Sequence, residues 1–314
     1  MHRGFLQFVA RRAAAAALLV VLVSSAALIL ARLAPGDRLT GFDVDPAVAA
    51  AECERIRCQD PLWQQYATWL GRAARFDLGM SSRYGRPVGQ LVEERAGNSV
   101  ILGVCALVAA TAVGIPAGIL TGSRRSVVAR VTRTASIILL SIPPLLASLT
   151  LLLIASRTGW FPVGGIAIDG ATLLEQARHL ALPVAALALP MAATLERLQS
   201  RAMAEALSER CIIAASARGV TSARLVWRHA LKLSLKPVLA IYGIVIGALF
   251  SGSFAVEYIM AWPGLGALMY EALVARDAYL VAGCAAAGAL ALAVGILISD
   301  IALGAVDPRS TEPA

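Results

Sequence analysis

Residues 216–239 read SARGVTSARLVWRHALKLSLKPVL, a basic, amphipathic, glycine-punctuated stretch in a chain that is otherwise mostly Ala, Leu, Val and Ile. Apolar runs long enough to cross a bilayer stand on both sides of it. A membrane span needs about 20 mostly apolar residues. Six runs meet that test: Ala13–Leu33, Val100–Gly122, Thr134–Ser156, Leu180–Leu198, Pro237–Val256 and Leu280–Leu303. With 58% hydrophobic and 15% charged residues among 314, and a mean hydropathy of +0.72, the chain is outside the range of a soluble globular domain. The expected fold is all-α and integral to the membrane, with six transmembrane helices.

Arg3, Arg11 and Arg12 precede the first span, a pattern also found in secretory signal peptides. The apolar run exceeds the usual 7–15 residues of a signal core and five more spans follow, which favours an uncleaved helix. Basic residues in the connections set orientation. Arg124, Arg125, Arg130 and Arg133 fill the second connection, and Arg197, Arg201, Arg210, Arg218, Arg224, Arg228, Lys232 and Lys236 the fourth. The third has only Arg157 and Arg178, the fifth only Arg276. Both termini and the stretch 197–236 are therefore expected in the cytoplasm, and 35–96 forms an extracytoplasmic loop. The net charge of +8 reads as a topology signal. Nucleic-acid binding is disfavoured, because the basic residues are spread over short loops without an interleaved aromatic platform.

The extracytoplasmic loop divides in two. PLWQQYATWLGRAARF (61–76) sets Leu62, Tyr66, Trp69, Leu70 and Ala73 on one helical stripe, suited to the membrane surface or, preferably, to packing on a partner. A second short helix is expected at Gly89–Ala96 after the turn-like Tyr84-Gly85-Arg86-Pro87. Cys53 and Cys58, in CERIRC, could form a local disulfide on an oxidising face or remain free. Cys105, Cys211 and Cys284 stand alone and read as small core residues. Trp160 and Trp262 suit the headgroup level.

Several chemistries have no residues to carry them. There is no G-x-x-x-x-G-K-[ST] phosphate loop, no H-E-x-x-H and no G-x-S-x-G. Glu196, Glu257 and Asp300 fall at or near span ends and read as solvated or partner-paired groups. Pro116, Pro143, Pro144 and Pro183 read as span kinks, or as bends lining a pathway. Ser136, Ser141, Ser148 and Thr150 are expected along one side of the third span, where their hydroxyls would line a wet pathway.

Within the cytoplasmic stretch, 203–218 reads as one helix carrying Leu207, Cys211, Ala214, Ala215 and Arg218 on one face, ended by Gly219 in a left-handed C-cap. Thr221 or Ser222 would cap a second helix with an apolar face of Leu225, Val226, His229, Ala230 and Leu233. Such a helix–turn–helix fits either a groove on a partner protein or an anionic lipid surface.

This stretch is similar to the EAA loop of ABC importer permeases. Nearly the whole chain resembles their dipeptide/oligopeptide/nickel branch, the DppB/OppB-like subunit. The segments that carry the resemblance are RLAPGD (32–37), DPLWQQYATWL (60–70), FDLGMSSRYGRPV (76–88), VGIPAGIL (113–120), LSIPPLL (140–146), GWFPVGG (159–165), RHALKLSLKPVL (228–239), AWPGLG (261–266) and VDPR (306–309). The sequence departs from the family at Cys211–Ser216, where a Tyr-Val-Arg-Thr-Ala-Arg-like run is usual, and at Leu235-Lys236-Pro237, where Leu-Leu-Pro is usual. The first departure implies a more apolar contact surface.

The resemblance implies a type I ABC importer transmembrane core over 97–304, with 1–34 contributing a peripheral first span and 305–314 a cytoplasmic tail. It implies a bacterial or archaeal cytoplasmic membrane, a second homologous permease subunit (DppC/OppC-like), two ATPase subunits and an extracytoplasmic solute-binding protein. ATP and Mg would sit on the ATPase subunits, so this chain is expected to bind no cofactor and to be no enzyme. Ser222, Arg224, Arg228 and His229 are the expected docking contacts, with Arg218 and Pro237 in the same loop and Ala214, Ala215 and Gly219 determining its shape. Di- and oligopeptides are the implied substrates, with nickel or another small peptide-like solute as the alternative. A secondary carrier is disfavoured, since intramembrane ionisable groups and inverted repeats are not evident.

Overall fold

A computed structural model describes residues 2–33, 61–167 and 170–306. The Cys53–Cys58 pair and the tail from Asp307 lie outside the described residues. Among the described residues the regular elements are all helices: α1 (His2–Leu33), α2 (Leu62–Ala73), α3 (Val88–Ser123), α4 (Val127–Leu140), α5 (Pro144–Thr158), α6 (Leu173–Ser208), α7 (Arg210–Ala217), α8 (Ser222–Ile259), α9 (Leu265–Val274) and α10 (Ala278–Val306). Among the described residues, α1, α3, α6, α8 and α10 are each long and apolar enough to cross a bilayer. The bent pair α4/α5 would make a sixth span.

That bend corrects the expectation of one helix over Thr134–Ser156. The axes of α4 and α5 differ by 103°. Pro143 is extended (φ −61°, ψ 149°) and Pro144 is the first residue of α5. A residue ahead of proline is pushed out of helical geometry, and proline itself cannot donate to the preceding turn. The paired prolines therefore end α4 and restart the chain in a new direction. A second correction concerns Gly89–Ala96, which is the first part of α3 rather than a separate helix.

The chain folds as two compact units. One comprises Met1–Arg12, Val100–Trp262 and Leu292–Ala314. Its main core joins Leu102, Ala106 and Ala110 of α3, Ala186, Met191 and Leu195 of α6, and Val238, Val245 and Leu249 of α8. Gly114, Gly118 and Gly122 let α3 lie almost backbone to backbone on α6. A Cβ at these positions would come within 2.6 Å of Ala192 O, 2.7 Å of Glu196 O and 2.5 Å of Ser200 O, respectively. Small residues at four-residue intervals are the usual device for such close approach inside a membrane. Both series ascend together, so α3 and α6 run parallel and end on the same side.

Beside this seam lie buried polar groups, among them Glu196, read from its place near a span end as solvated or partner-paired. Glu196 is 1% exposed and accepts a hydrogen bond from Thr121 Oγ1. Gln199, fully buried, donates to Ser234 Oγ at 2.8 Å. Glu257 is also fully buried. Asp300, 2.8 Å from Arg12, is a paired end group as expected. Trp262 is buried in the main core, whereas Trp160 is exposed. The GWFPVGG turn packs on the end of α8, where Gly165 N donates to Met260 O at 2.8 Å.

The second unit comprises Ala13–Ser99 and Pro263–Ala291. Its α2 stripe packs inside the chain, correcting the expectation of an external surface: Trp69, Tyr66, Leu70 and Ala73 lie against Leu28 of α1 and Ala278 and Ala282 of α10. Tyr66 and Ser25 hydroxyls meet at 2.8 Å. Asp277, fully buried, organises the FDLGMSSRYGRPV segment. It accepts from Ser81 Oγ at 2.6 Å and Arg83 N at 3.2 Å, and caps α10 by accepting from Leu280 N at 3.1 Å. Tyr84 donates to Glu271, and burial, followed by that bond, raises the phenol's pKa. The Arg72 guanidinium beside Asp77 holds that carboxyl below the ordinary range.

Large apolar side chains such as Val104, Val108, Ile138, Leu153 and Ile298 are exposed. Such a surface is stable against hydrocarbon and an aggregation liability in water.

The α3–α6 seam gives the first prediction. Alanine is favoured over glycine in a helix by up to about 1 kcal/mol, so Gly288→Ala, where no atom lies within 4 Å of the new Cβ, should leave the melting point unchanged or raised. Gly118→Ala should lower it, because overpacking costs about 1–3 kcal/mol. Thermal unfolding of the two variants in the same detergent checks this.

Candidate functional site

The helix–turn–helix after α6 is built from a break, a left-handed residue and a widened turn. The expected helix over 203–218 is interrupted: α6 ends at Ser208, Glu209 is extended (φ −63°, ψ 139°), and α7 starts at Arg210. At the far end Gly219 has φ +83°. Gly219 N donates to Ser216 O at 2.9 Å and Val220 N to Ala215 O at 3.3 Å. This is the paired bonding of a Schellman cap, and Val220 makes its accompanying apolar contact with the buried cluster of Ile212, Ala215 and Leu225.

Thr221 occupies the next N-cap in an extended conformation, yet its hydroxyl makes no capping bond. Helix α8 then begins at Ser222 and opens into a π turn over Leu225–Ala230. The π turn alters which residues face inward. With ordinary 3.6-residue spacing Leu225 and His229 share a face. Here Leu225 and Ala230, five apart, are both buried, and Trp227, Arg228 and His229 are exposed. His229 therefore leaves the apolar face expected of it. Ala230 packs with Ile119, Met203 and Ala206, tying the start of α8 to α3 and α6.

Of the residues singled out from sequence, Arg218, Gly219, Ser222, Arg224, Arg228 and His229 are exposed around the turn. Ala214 is exposed and Ala215 buried. Pro237 lies about four turns into α8, inside the helix and away from the turn. Two residues that the sequence did not single out complete the surface: Ile213 at 57% exposure and Trp227 at 61%. Exposed Trp with Arg around it is the composition of an interface anchor. Trp227 is the one Trp in the basic connections, and that was the available signal.

The four pathway candidates do not share one side of one helix. Ser136 is buried on α4 and Ser148 on α5, while Ser141 and Thr150 are exposed. Ser141 ends α4, at the bend. The hydroxyls of Ser141, Ser148 and Thr150 donate to the carbonyls of Ile137, Leu145 and Leu146. Such back-bonding lets a hydroxyl sit in an apolar setting. Thr111 and Tyr242, whose hydroxyls meet at 2.9 Å between α3 and α8, are a polar pair the sequence did not suggest.

Residues 114–312 match the family of binding-protein-dependent transport system inner membrane components. The chain belongs to this family, a class of multi-pass membrane permeases. It is 32% identical to the oligopeptide transport system permease protein AppB of Bacillus subtilis, over 96% of this chain and 98% of that protein. It is 28% identical to the dipeptide transport system permease protein DppB of Escherichia coli K12, over 97% and 98% of the two chains. With the oligopeptide transport system permease protein OppB of Mycobacterium bovis the identity is 31%, over 84% and 85%. A permease of this class is a transport subunit that works in a complex with other transporter subunits, not an enzyme.

The buried cluster and the exposed anchors should separate experimentally. Truncating Leu225 to Ala removes a buried side chain, a change worth about 2–5 kcal/mol, and should raise hydrogen exchange throughout 210–230. Ile213→Ala should leave exchange there as in the parent chain, as judged by peptide-resolved mass spectrometry.

Proposed function

We propose that this chain forms, with a second homologous permease, the pathway of a binding-protein-dependent ABC importer for di- or oligopeptides. The turn around Gly219 is its coupling contact with a cytoplasmic ATPase. The observation that carries the coupling role is the surface just described. A small buried cluster makes the helix–turn–helix rigid, and its outward face offers Ile213, Trp227, Arg218, Arg224 and Arg228 with no ion pair among the described residues. A rigid element with an apolar centre and a basic rim suits docking on a folded partner. The peptide assignment rests on the relatives, which are named for oligopeptide and dipeptide transport.

The topology follows the same lines. Counting α4/α5 as one broken span gives six, with both termini and 209–231 on the cytoplasmic side of a bacterial or archaeal inner membrane. The Arg12–Asp300 pair supports a common side for the start of α1 and the end of α10. The parallel run of α3 and α6 supports a common side for the second and fourth connections. Two ATPase subunits would bind below, carrying ATP and Mg, and a solute-binding protein would deliver peptide from the opposite face.

Coupling then has a mechanical route. Closure of the ATPase pair moves α7 and the Gly219 turn. Leu225 and Ala230 pass the displacement into α8, and Met203 and Ala206 pass it into α6. Helices packed this tightly move as bodies, so the pathway shifts between inward- and outward-facing populations. Ser136 and Ser148, the two buried hydroxyls of the broken span, are the residues of that group retained as pathway candidates.

Gly219→Val tests the coupling role. No atom lies within 4 Å of the added Cβ, so its cost is the left-handed backbone alone, about 1–2 kcal/mol. In proteoliposomes containing the complete transporter, peptide uptake and binding-protein-stimulated ATP hydrolysis should both fall at least fivefold, with the subunits still assembled. Uptake at the parental rate would refute the role.

A further inference from the structure

Between the end of α3 and the start of α4 lies a cavity of about 570 Å³ lined by four arginines, Arg124, Arg125, Arg130 and Arg133. All four come from ten residues of sequence, and the cavity has no acidic lining residue. Arg133 already has a task, donating to Thr121 O at 2.8 Å. Arg124, Arg125 and Arg130 are exposed and make no ion pair among the described residues. Ser200 and Ala204 of α6 complete the lining, and Gly122 lets α3 close on Ser200. Positive charge gathered in a concave site without a counter-charge calls for an anion from outside the chain.

The surroundings say which anion. The cavity sits where the apolar helix α3 ends, and the end of a spanning helix falls at the level of a bilayer's headgroups. In the first two turns of α4, Val127, Val128 and Val131 are each more than 60% exposed, with Val127 one turn before Arg130. Ile137 and Ile138 continue that apolar surface along the helix. A free anion would use the arginines and ignore the valines, whereas a lipid would use both.

We propose that this cavity binds the phosphate headgroup of an anionic phospholipid, whose acyl chains lie along the exposed side of α4. Basic pockets between membrane helices on the cytoplasmic side are suited to such headgroups. Because Ala204 is only one turn from the end of α6, the lipid would brace the helix that leads into the Glu209 break.

The test uses the purified transporter complex in neutral detergent. It is titrated with dioctanoyl phosphatidylglycerol, with phosphatidylcholine of the same chains, and with inorganic phosphate, and bound lipid is counted by native mass spectrometry. Phosphatidylglycerol should saturate and be retained at least tenfold more strongly than phosphatidylcholine. R124Q/R125Q/R130Q should lower that preference at least fivefold, while Arg133 is left in place to hold Thr121. Should the triple variant fail to assemble, Arg125→Gln alone should lower retention two- to threefold. Equal retention of the two lipids, or parental retention in an assembled variant, would overturn the proposal. Displacement of phosphatidylglycerol by an equal concentration of phosphate would assign the cavity to a free anion. Retention by the isolated permease pair but not by the full complex would assign it to a protein segment. Either of these results also overturns it.

Discussion

Helices α3 and α6 touch at their backbones because Gly114, Gly118 and Gly122 leave room for the carbonyls of Ala192, Glu196 and Ser200. In hydrocarbon there is little hydrophobic force to bring helices together, so close packing has to supply the attraction. This seam fixes α6, and α6 delivers the chain to the Glu209 break at a defined place. It also lets Thr121 reach Glu196, which gives one oxygen of a buried carboxylate a donor that it would otherwise lack. Everything downstream, from the α7 cap to the π turn, inherits its position from that contact.

The helix–turn–helix adds a second level of constraint. Its own core is only three buried residues, Ile212, Ala215 and Leu225, too few to stand alone. It is held because both flanking segments are anchored, through Met203 and Ala206 on one side and Ala230 on the other. The result is a small rigid element whose polar and apolar groups face outward together. In the proposed coupling role, such a part would pass force between an ATPase and the spans without folding or unfolding.

Much of this was legible in the sequence, where the physics is local. Apolar run length located the spans, and Gly219 announced a left-handed cap that the structure contains. The Trp69 stripe of α2 was visible by periodicity, although its partner, Leu28 with Ala278 and Ala282, was not, since that contact is distant in sequence. The misreadings share a cause. A hydropathy window does not register that Pro143-Pro144 turns the chain by 103°, and a 3.6-residue wheel cannot anticipate a π turn that moves His229 outward. Glu196 looked like a solvated or partner-paired end group because burial by a neighbouring helix has no signature in its own segment. The exposed apolar residues Ile213 and Trp227 were passed over for the same reason: exposure of an apolar side chain is a property of the packed fold.

The central claim is that the surface of 209–231 faces the cytoplasm and is covered by the ATPase. Cys211 provides a native probe, exposed on α7. A membrane-impermeant maleimide applied to inside-out vesicles, with labelled sites mapped by mass spectrometry, should modify Cys211 when the ATPase subunits are absent. It should fail to do so once they are bound. Labelling of Cys211 only from the opposite face, or equal labelling with and without the ATPase, would contradict the account.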